Sequence, residues 1–179
     1  MYYSTTYSSP IGQIILAATG DCLAGLWLDG QKYFLGTVKE PLAAKDDLPV
    51  FTQTKDWLDR YFAGQKPVIR ELPLAPIGGE FRQKVWNILC EIPYGQVTTY
   101  GEIAKQTAAL TGRDHMSSQA VGGAVAHNPI SIIIPCHRVV GANGSLTGYA
   151  GGIEKKQKLL ALEGVDLSQF FIPKKGTAL

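Results

Sequence analysis

The segment Pro135-Cys136-His137-Arg138 sets a thiol directly before two side chains that can carry positive charge. The thiolate, not the thiol, is the nucleophile, and cationic neighbours lower a thiol's pKa. The pattern allows a nucleophilic cysteine whose pKa the two cations would depress. Adjacent side chains of an extended chain point to opposite faces. Pairing of Cys136 with His137 therefore requires a turn at this point or a bridging water. Residue types alone also allow a structural cysteine, a metal ligand or a cysteine protease. Zinc is disfavoured, because no second Cys/His pair stands at ligand spacing and His115 and His127 are isolated. A protease would need a separate histidine with an orienting Asn or Asp, for which His127-Asn128 is a candidate.

Around this segment the chain must build a rigid frame. Ile130-Ser131-Ile132-Ile133-Ile134 reads as a buried strand that delivers the thiol. Before it, Thr99-Tyr100-Gly101-Glu102 is a capping box that opens a short helix to about Thr107. A polar loop from Thr111 to His115 follows, and Ser117 or Ser118 caps a second helix from Gln119 to about Ala126. Two short helices joined by a tight polar loop read as a helix-turn-helix. The second contains Gly122-Gly123, which costs a helix roughly 2 kcal/mol relative to alanine. Close packing against a neighbour would offset this, and so would entry of a nearly bare helix into a groove as narrow as the minor groove, about 6 Å wide. A helix with apolar positions Phe81, Val85, Trp86, Ile88, Leu89 and Ile92 begins this half and stops at Pro93-Tyr94-Gly95.

The first half reads as strands followed by a helix. Apolar runs at 12–18 and 22–28 flank Thr19-Gly20-Asp21, a hairpin turn, and Val50 to Phe62 has amphipathic helical spacing. The Pro/Gly-rich stretch from Gly64 to Gly79 predicts a boundary, giving domains 1–79 and 80–179. The first carries seven Lys/Arg against eight Asp/Glu and the second ten against seven. That asymmetry is too small to be a nucleic-acid footprint by itself. With 179 residues, 45% of them hydrophobic, the chain can bury a core and disorder is not expected. Three cysteines cannot form a disulfide framework, and Cys22 and Cys90 read as small core residues. No apolar run approaches the roughly 20 residues that span a bilayer, and no secretory signal is expected from the N-terminus. A reducing, cytoplasmic setting fits.

In this context the second half resembles the O6-alkylguanine-DNA alkyltransferases, or methylated-DNA–protein-cysteine methyltransferases. The resemblance rests on segments in order over 80–165: Ile92-Pro93-Tyr94-Gly95-Gln96-Val97-Thr98-Thr99-Tyr100, Ala120-Val121-Gly122-Gly123-Ala124, Asn128-Pro129, Ile134-Pro135-Cys136-His137-Arg138-Val139, Gly148-Tyr149-Ala150-Gly151-Gly152 and Leu160-Ala161-Leu162-Glu163-Gly164. Residues 1–79 match only in size and element order. The resemblance implies an α/β (α+β) fold: a small ribonuclease-H-like strand-and-helix domain, then a mostly helical, winged helix-turn-helix-like domain. It implies direct repair of DNA, with irreversible, stoichiometric transfer of an alkyl group from O6 of guanine, and from O4 of thymine, to Cys136. His137 and Glu163 would form the relay, Tyr100 would donate a proton to guanine N3, and Asn128 would fix the turn before the active-site strand. Tyr100, Gly101, Ser118, Gln119, Ala120, Gly123 and Arg138 would meet double-stranded DNA through the minor groove. Val125, Ser131, Val139, Tyr149 and Ala150 would line the pocket of the flipped base. No cofactor or metal is implied, and a monomer is expected. Two alternatives follow from the same module: non-catalytic recognition of alkylated DNA, which Cys136 argues against, and a regulatory module, for which the chain has no added DNA-reading domain. One position departs from the family pattern, since Gln119 stands where an arginine commonly precedes Ala-Val-Gly-Gly.

Overall fold

The structure, a computed structural model, describes residues 1–36 and 38–174. Its chain divides into two compact units, one of Met1–Ile77 with Pro129–Ile133 and one of Gly78–Asn128 with Ile134–Leu179. The return of residues 129–133 to the first unit is not anticipated by a single boundary at residue 79.

The first unit holds four strands and one long helix. β1 (Tyr2–Ser9), β2 (Gly12–Thr19) and β3 (Cys22–Leu28) form an antiparallel meander, and β4 (Leu42–Ala44) adds to β1 in parallel, giving the order β3-β2-β1-β4. The β2–β3 hairpin closes over two residues, and Gly20 supplies the positive φ of 54° that the turn needs. Helix α1 (Pro49–Phe62) packs on β1, β2 and β3 through Phe51, Trp57, Leu58 and Tyr61. Proline at its first position is preorganised for a helix start, and Gly64, at φ 76°, follows its end. Ala17, Trp27 and Val38 form a second buried cluster with Ile15, Leu42 and Ile77 around it.

The second unit is mostly helical: α2 (Glu80–Cys90), α3 (Tyr100–Leu110), α4 (Ser118–Ala126) and α5 (Ile153–Leu162). Helices α2, α3 and α4 pack on one another, and Trp86 fixes α2 to α4 by donating from Nε1 to the Ala124 carbonyl at 2.9 Å. The caps are those that the sequence predicts. Thr99 Oγ1 accepts from Glu102 N at 3.1 Å, and Ser117 Oγ accepts from Gln119 N at 3.2 Å. A minimal parallel pair, β5 (Thr98–Thr99) with β6 (Val139–Val140), sets the first residue of α3 beside the chain just past Cys136.

Two expectations require correction. Ile130 to Ile134 is not a strand. Ile130 makes a single bridge to Leu26, Ser131 N donates to the Leu26 carbonyl at 3.0 Å, and Ile132 lies at φ 69°, a left-handed value that is an outlier for a β-branched residue. The run is apolar because it is buried, and it is buried as a turn. Cys22 and Cys90 are half-buried rather than core; burial still pushes the Cys90 thiol up to about 11.

Candidate active site

Proline 135 ends the apolar turn, and Cys136–Arg138 form one turn of 3-10 helix. This is the turn that adjacent Cys and His residues need to share an environment. Both are buried, Cys136 at 3% and His137 at 0% exposure. The thiol has a fixed donor. Asn128, buried just after α4, donates from Nδ2 to the Ile134 carbonyl at 2.8 Å and to Cys136 Sγ at 3.1 Å. One amide therefore holds the backbone before the cysteine and the sulfur itself. The sequence reading assigned Asn128 only the first of these tasks.

Glu163, just past α5, is the hub of the buried charges. Its carboxylate accepts from His137 Nε2 at 2.6 Å, from Arg138 Nε and Nη2 at 2.8 and 3.0 Å, and from the Gly95 N–H at 3.2 Å. Gly95 is required here: its φ is 78°, and a Cβ would lie 2.8 Å from the Glu163 carbonyl oxygen. Tyr94 completes the clamp, its ring facing the Arg138 guanidinium at 5.7 Å and its hydroxyl donating to the Leu162 carbonyl at 3.2 Å. Burial works against the Glu163 carboxylate, yet His137 and Arg138 hold it well below the usual carboxylate range. Burial lowers the pKa of His137 despite that carboxylate, so the imidazole is neutral near pH 7. A neutral ring donating from Nε2 has Nδ1 as its basic nitrogen.

The expected depression of the Cys136 pKa is not found. Burial pushes the thiol up, and the two neighbours invoked from sequence do not reverse this. His137 is neutral, and Arg138 is engaged with Glu163 and with the Ile92 carbonyl at 2.6 Å. The groups that favour the thiolate are Asn128, then Lys156, which the sequence reading passed over, and the backbone N–H groups of Cys136 and His137. Lys156 on α5 has 0% exposure and donates from Nζ to the carbonyls of Val139 and Thr147, at 2.5 and 2.9 Å. Burial lowers its pKa to about 8. Its signal was present in the sequence, since Lys156 shares the buried stripe of its helix with Leu159 and Leu160. The Thr147 carbonyl also accepts from Tyr100 Oη at 3.2 Å, and Gly148 accepts from the same hydroxyl at 3.1 Å. Burial, with Cys136 adding to it, raises the Tyr100 pKa and keeps the phenol protonated.

The remaining candidates separate by environment. Ser118, Gln119 and Ala120 are exposed at the start of α4, and Gly101 on α3 lies close by, since a Cβ there would be 3.9 Å from Ser118 Oγ. A Cβ on Gly123 would meet nothing within 4 Å beyond its own helix backbone, so packing among the described residues does not explain that glycine. Val125, Val139 and Tyr149 are buried and Ala150 is half-buried. Arg138, expected to touch DNA, is instead 6% exposed and held by Glu163 and Ile92. Ser131, expected to line the base pocket, belongs to the first unit and donates to Gln31 Oε1 at 2.9 Å.

Comparison with known proteins covers most of the chain. Residues 80–165 match the model of the 6-O-methylguanine DNA methyltransferase DNA binding domain, and residues 1–76 that of its ribonuclease-like domain. A methylated-DNA–protein-cysteine methyltransferase of Methanosarcina acetivorans is 44% identical, covering 92% of this chain and 99% of the relative. One from Haemophilus influenzae is 39% identical over 91% of this chain and 87% of its own length. The crystal structure of Mycobacterium tuberculosis OGT in complex with DNA is similar at a TM-score of 0.76 and 41% identity, covering 94% of each chain.

Proposed function

This chain belongs to the 6-O-methylguanine DNA methyltransferase family, and we propose that it repairs DNA by moving an alkyl group from O6 of guanine, or O4 of thymine, to Sγ of Cys136. The observation that carries this reading is the buried thiol held by Asn128, one residue from a neutral histidine clamped on a carboxylate.

The chemistry is a displacement at the alkyl carbon. The S–C bond forms, the C–O6 bond breaks, and its electron pair stays with the base. Cys136 passes its proton through a water to Nδ1 of His137, and Glu163 fixes the tautomer and balances the imidazolium that forms. Tyr100 gives its proton to guanine N3 after its hydroxyl leaves the carbonyls of Thr147 and Gly148, and recovers one from the His137 side. In sum the thiol proton ends on guanine and the alkyl group on sulfur. A thioether does not reverse under these conditions, so each molecule acts once.

The lesion lies inside the duplex, so the nucleotide has to leave the stack, at a cost of a few kcal/mol. Helix α4 suits a minor groove: its first residues are uncharged and exposed, and Gly123 leaves its surface bare. We assign a monomer acting on double-stranded DNA. No helix among the described residues is long and apolar enough to cross a membrane, and the cysteines are free, which accords with a cytoplasmic setting.

Intact-mass spectrometry after mixing with O6-methylguanine DNA tests the reading. One methyl per protein is expected, mapped to Cys136, and none for Cys136→Ala. Methyl on Cys22 or Cys90, or repeated turnover, would refute the mechanism, and binding with no mass gain would favour non-catalytic recognition.

A further inference from the structure

Helix α4 carries no charged residue anywhere in Ser118–Ala126. Affinity for duplex DNA comes largely from Lys and Arg that neutralise phosphates. A DNA complex centred on this helix therefore needs cations from outside it, and the polar turn that leads into α4 places them there. A groove of about 490 Å³ runs between α3 and this turn. Lys105 lines it from α3, Arg113 and His115 from the turn, and Ala104 and Ala108 give it an apolar floor. Ser118 and Gly101, the first turns of α4 and α3, line the same groove. It thus adjoins the exposed residues Gln119 and Ala120.

The two strong cations here are held loosely or not at all among the described residues. Arg113 is exposed and makes no side-chain hydrogen bond or ion pair among the described residues. Lys105 meets only Glu102, at 3.8 Å, with 81% of its side chain exposed. Asp114 lines the groove too, yet neither cation forms an ion pair with it. Lys84 of the adjoining groove, which Arg113 also borders, is different: it is held on Glu80 at 2.7 Å. A guanidinium presents a planar fork that matches a phosphate bidentately, while an ammonium acts as a point charge beside it.

We propose that the groove between α3 and the turn before α4 seats the DNA backbone, with Arg113 and Lys105 each neutralising a phosphate there, and so supplies the charge that α4 lacks. The proposal rests on the reading of α4 as the helix that meets DNA.

The experiment measures binding of the full chain to an undamaged duplex by fluorescence anisotropy, across a salt series from about 50 to 200 mM. Arg113→Ala and Lys105→Ala are each expected to weaken binding at low salt and to lower the salt slope by about 0.9. Over that fourfold range in salt, the gap between variant and parent then narrows roughly threefold. Arg113→Lys should keep the slope, and Lys158→Ala, a matched charge loss on α5, should leave it unchanged. Transfer from the free base O6-methylguanine should match the parent in every variant. Parental slopes for both alanine variants would overturn the proposal, as would an equal loss for Lys158→Ala or a parallel fall in free-base transfer. Because the slope involves no transfer step, failure of the Cys136 assignment would leave this result readable.

Discussion

The thiol of Cys136 is held among groups whose influences oppose one another. Burial favours the neutral thiol, while the Asn128 amide and the Lys156 ammonium favour the thiolate. Without substrate the first wins, so the rate of reaction with a small neutral thiol reagent should have its midpoint above the ~8.5 of a free cysteine. Lys156→Met should move that midpoint further up. A midpoint below ~8.5 that does not respond to Lys156→Met would remove the lysine from the thiolate's surroundings. Glu163 acts one step away, through His137. Glu163→Gln keeps the shape but leaves Nε2 free to be the basic nitrogen, so Nδ1 no longer receives the thiol proton. Single-turnover repair of duplex DNA should slow by about 10²–10⁴-fold, the range for general-base catalysis, with duplex affinity unchanged. Unaltered repair by Glu163→Gln would exclude the relay.

Among the elements, α4 is where local stability and function pull apart. Outside its own helix backbone, nothing among the described residues lies within 4 Å of a Cβ placed on Gly123. Gly123→Ala should therefore stabilise the fold, by up to about 1 kcal/mol in thermal unfolding, while weakening duplex binding because the bare face is filled. If binding holds while stability rises, this face does not meet DNA. Gln119→Arg reads the start of the same helix. It should tighten duplex binding, steepen the salt slope by about one and speed repair of duplex, with little change for the free base. Helices α1 and α2 were legible in the sequence because their apolar positions recur with the helical period and stop at Gly or Pro, and α3 and α4 because Thr99 and Ser117 mark their starts. So were the thiol, its histidine and, through the family motifs, Glu163 and Tyr100. Ile130 to Ile134 was misread because hydrophobicity reports burial and not conformation: the same five residues satisfy a strand or a buried turn. Strand β1 passed unnoticed because its Tyr and Thr residues favour sheets but the run has no apolar alternation. The role of Arg138 was not legible, since a positive charge in sequence does not say whether it faces water or a buried partner; Lys156 could have been placed only by its spacing from Leu159 and Leu160.

At the scale of the molecule, the second unit stores two charges whose burial acts at opposite ends of the pH range. Glu163 is held below its unfolded pKa of about 4.3. The folded state thus binds its proton less readily, and the stability this confers is complete above about 4.3 and lost as pH falls through the folded value. Lys156 has a folded pKa of about 8 against an ordinary 10.5. Below about 8 it is protonated whether folded or unfolded and its burial cost is constant. Between 8 and 10.5 the unfolded chain holds more protons, so stability rises with pH, by at most on the order of 3 kcal/mol. Cys136 opposes this, because its buried thiol keeps its proton longer than an unfolded one. Tyr100 faces the same sulfur, and burial holds its phenol protonated through this range. The lysine is therefore best read with the thiol removed. In Cys136→Ala the thiolate no longer supports the ammonium, so the lysine's folded pKa falls further and the alkaline rise widens. Denaturant unfolding of Cys136→Ala from about pH 7.5 to 10.5 should show stability climbing relative to Cys136→Ala/Lys156→Met, whatever the offset between them at pH 7. Parallel curves would mean that Lys156 is not buried as an ammonium in the folded protein, and its place beside the thiol would have to be given up.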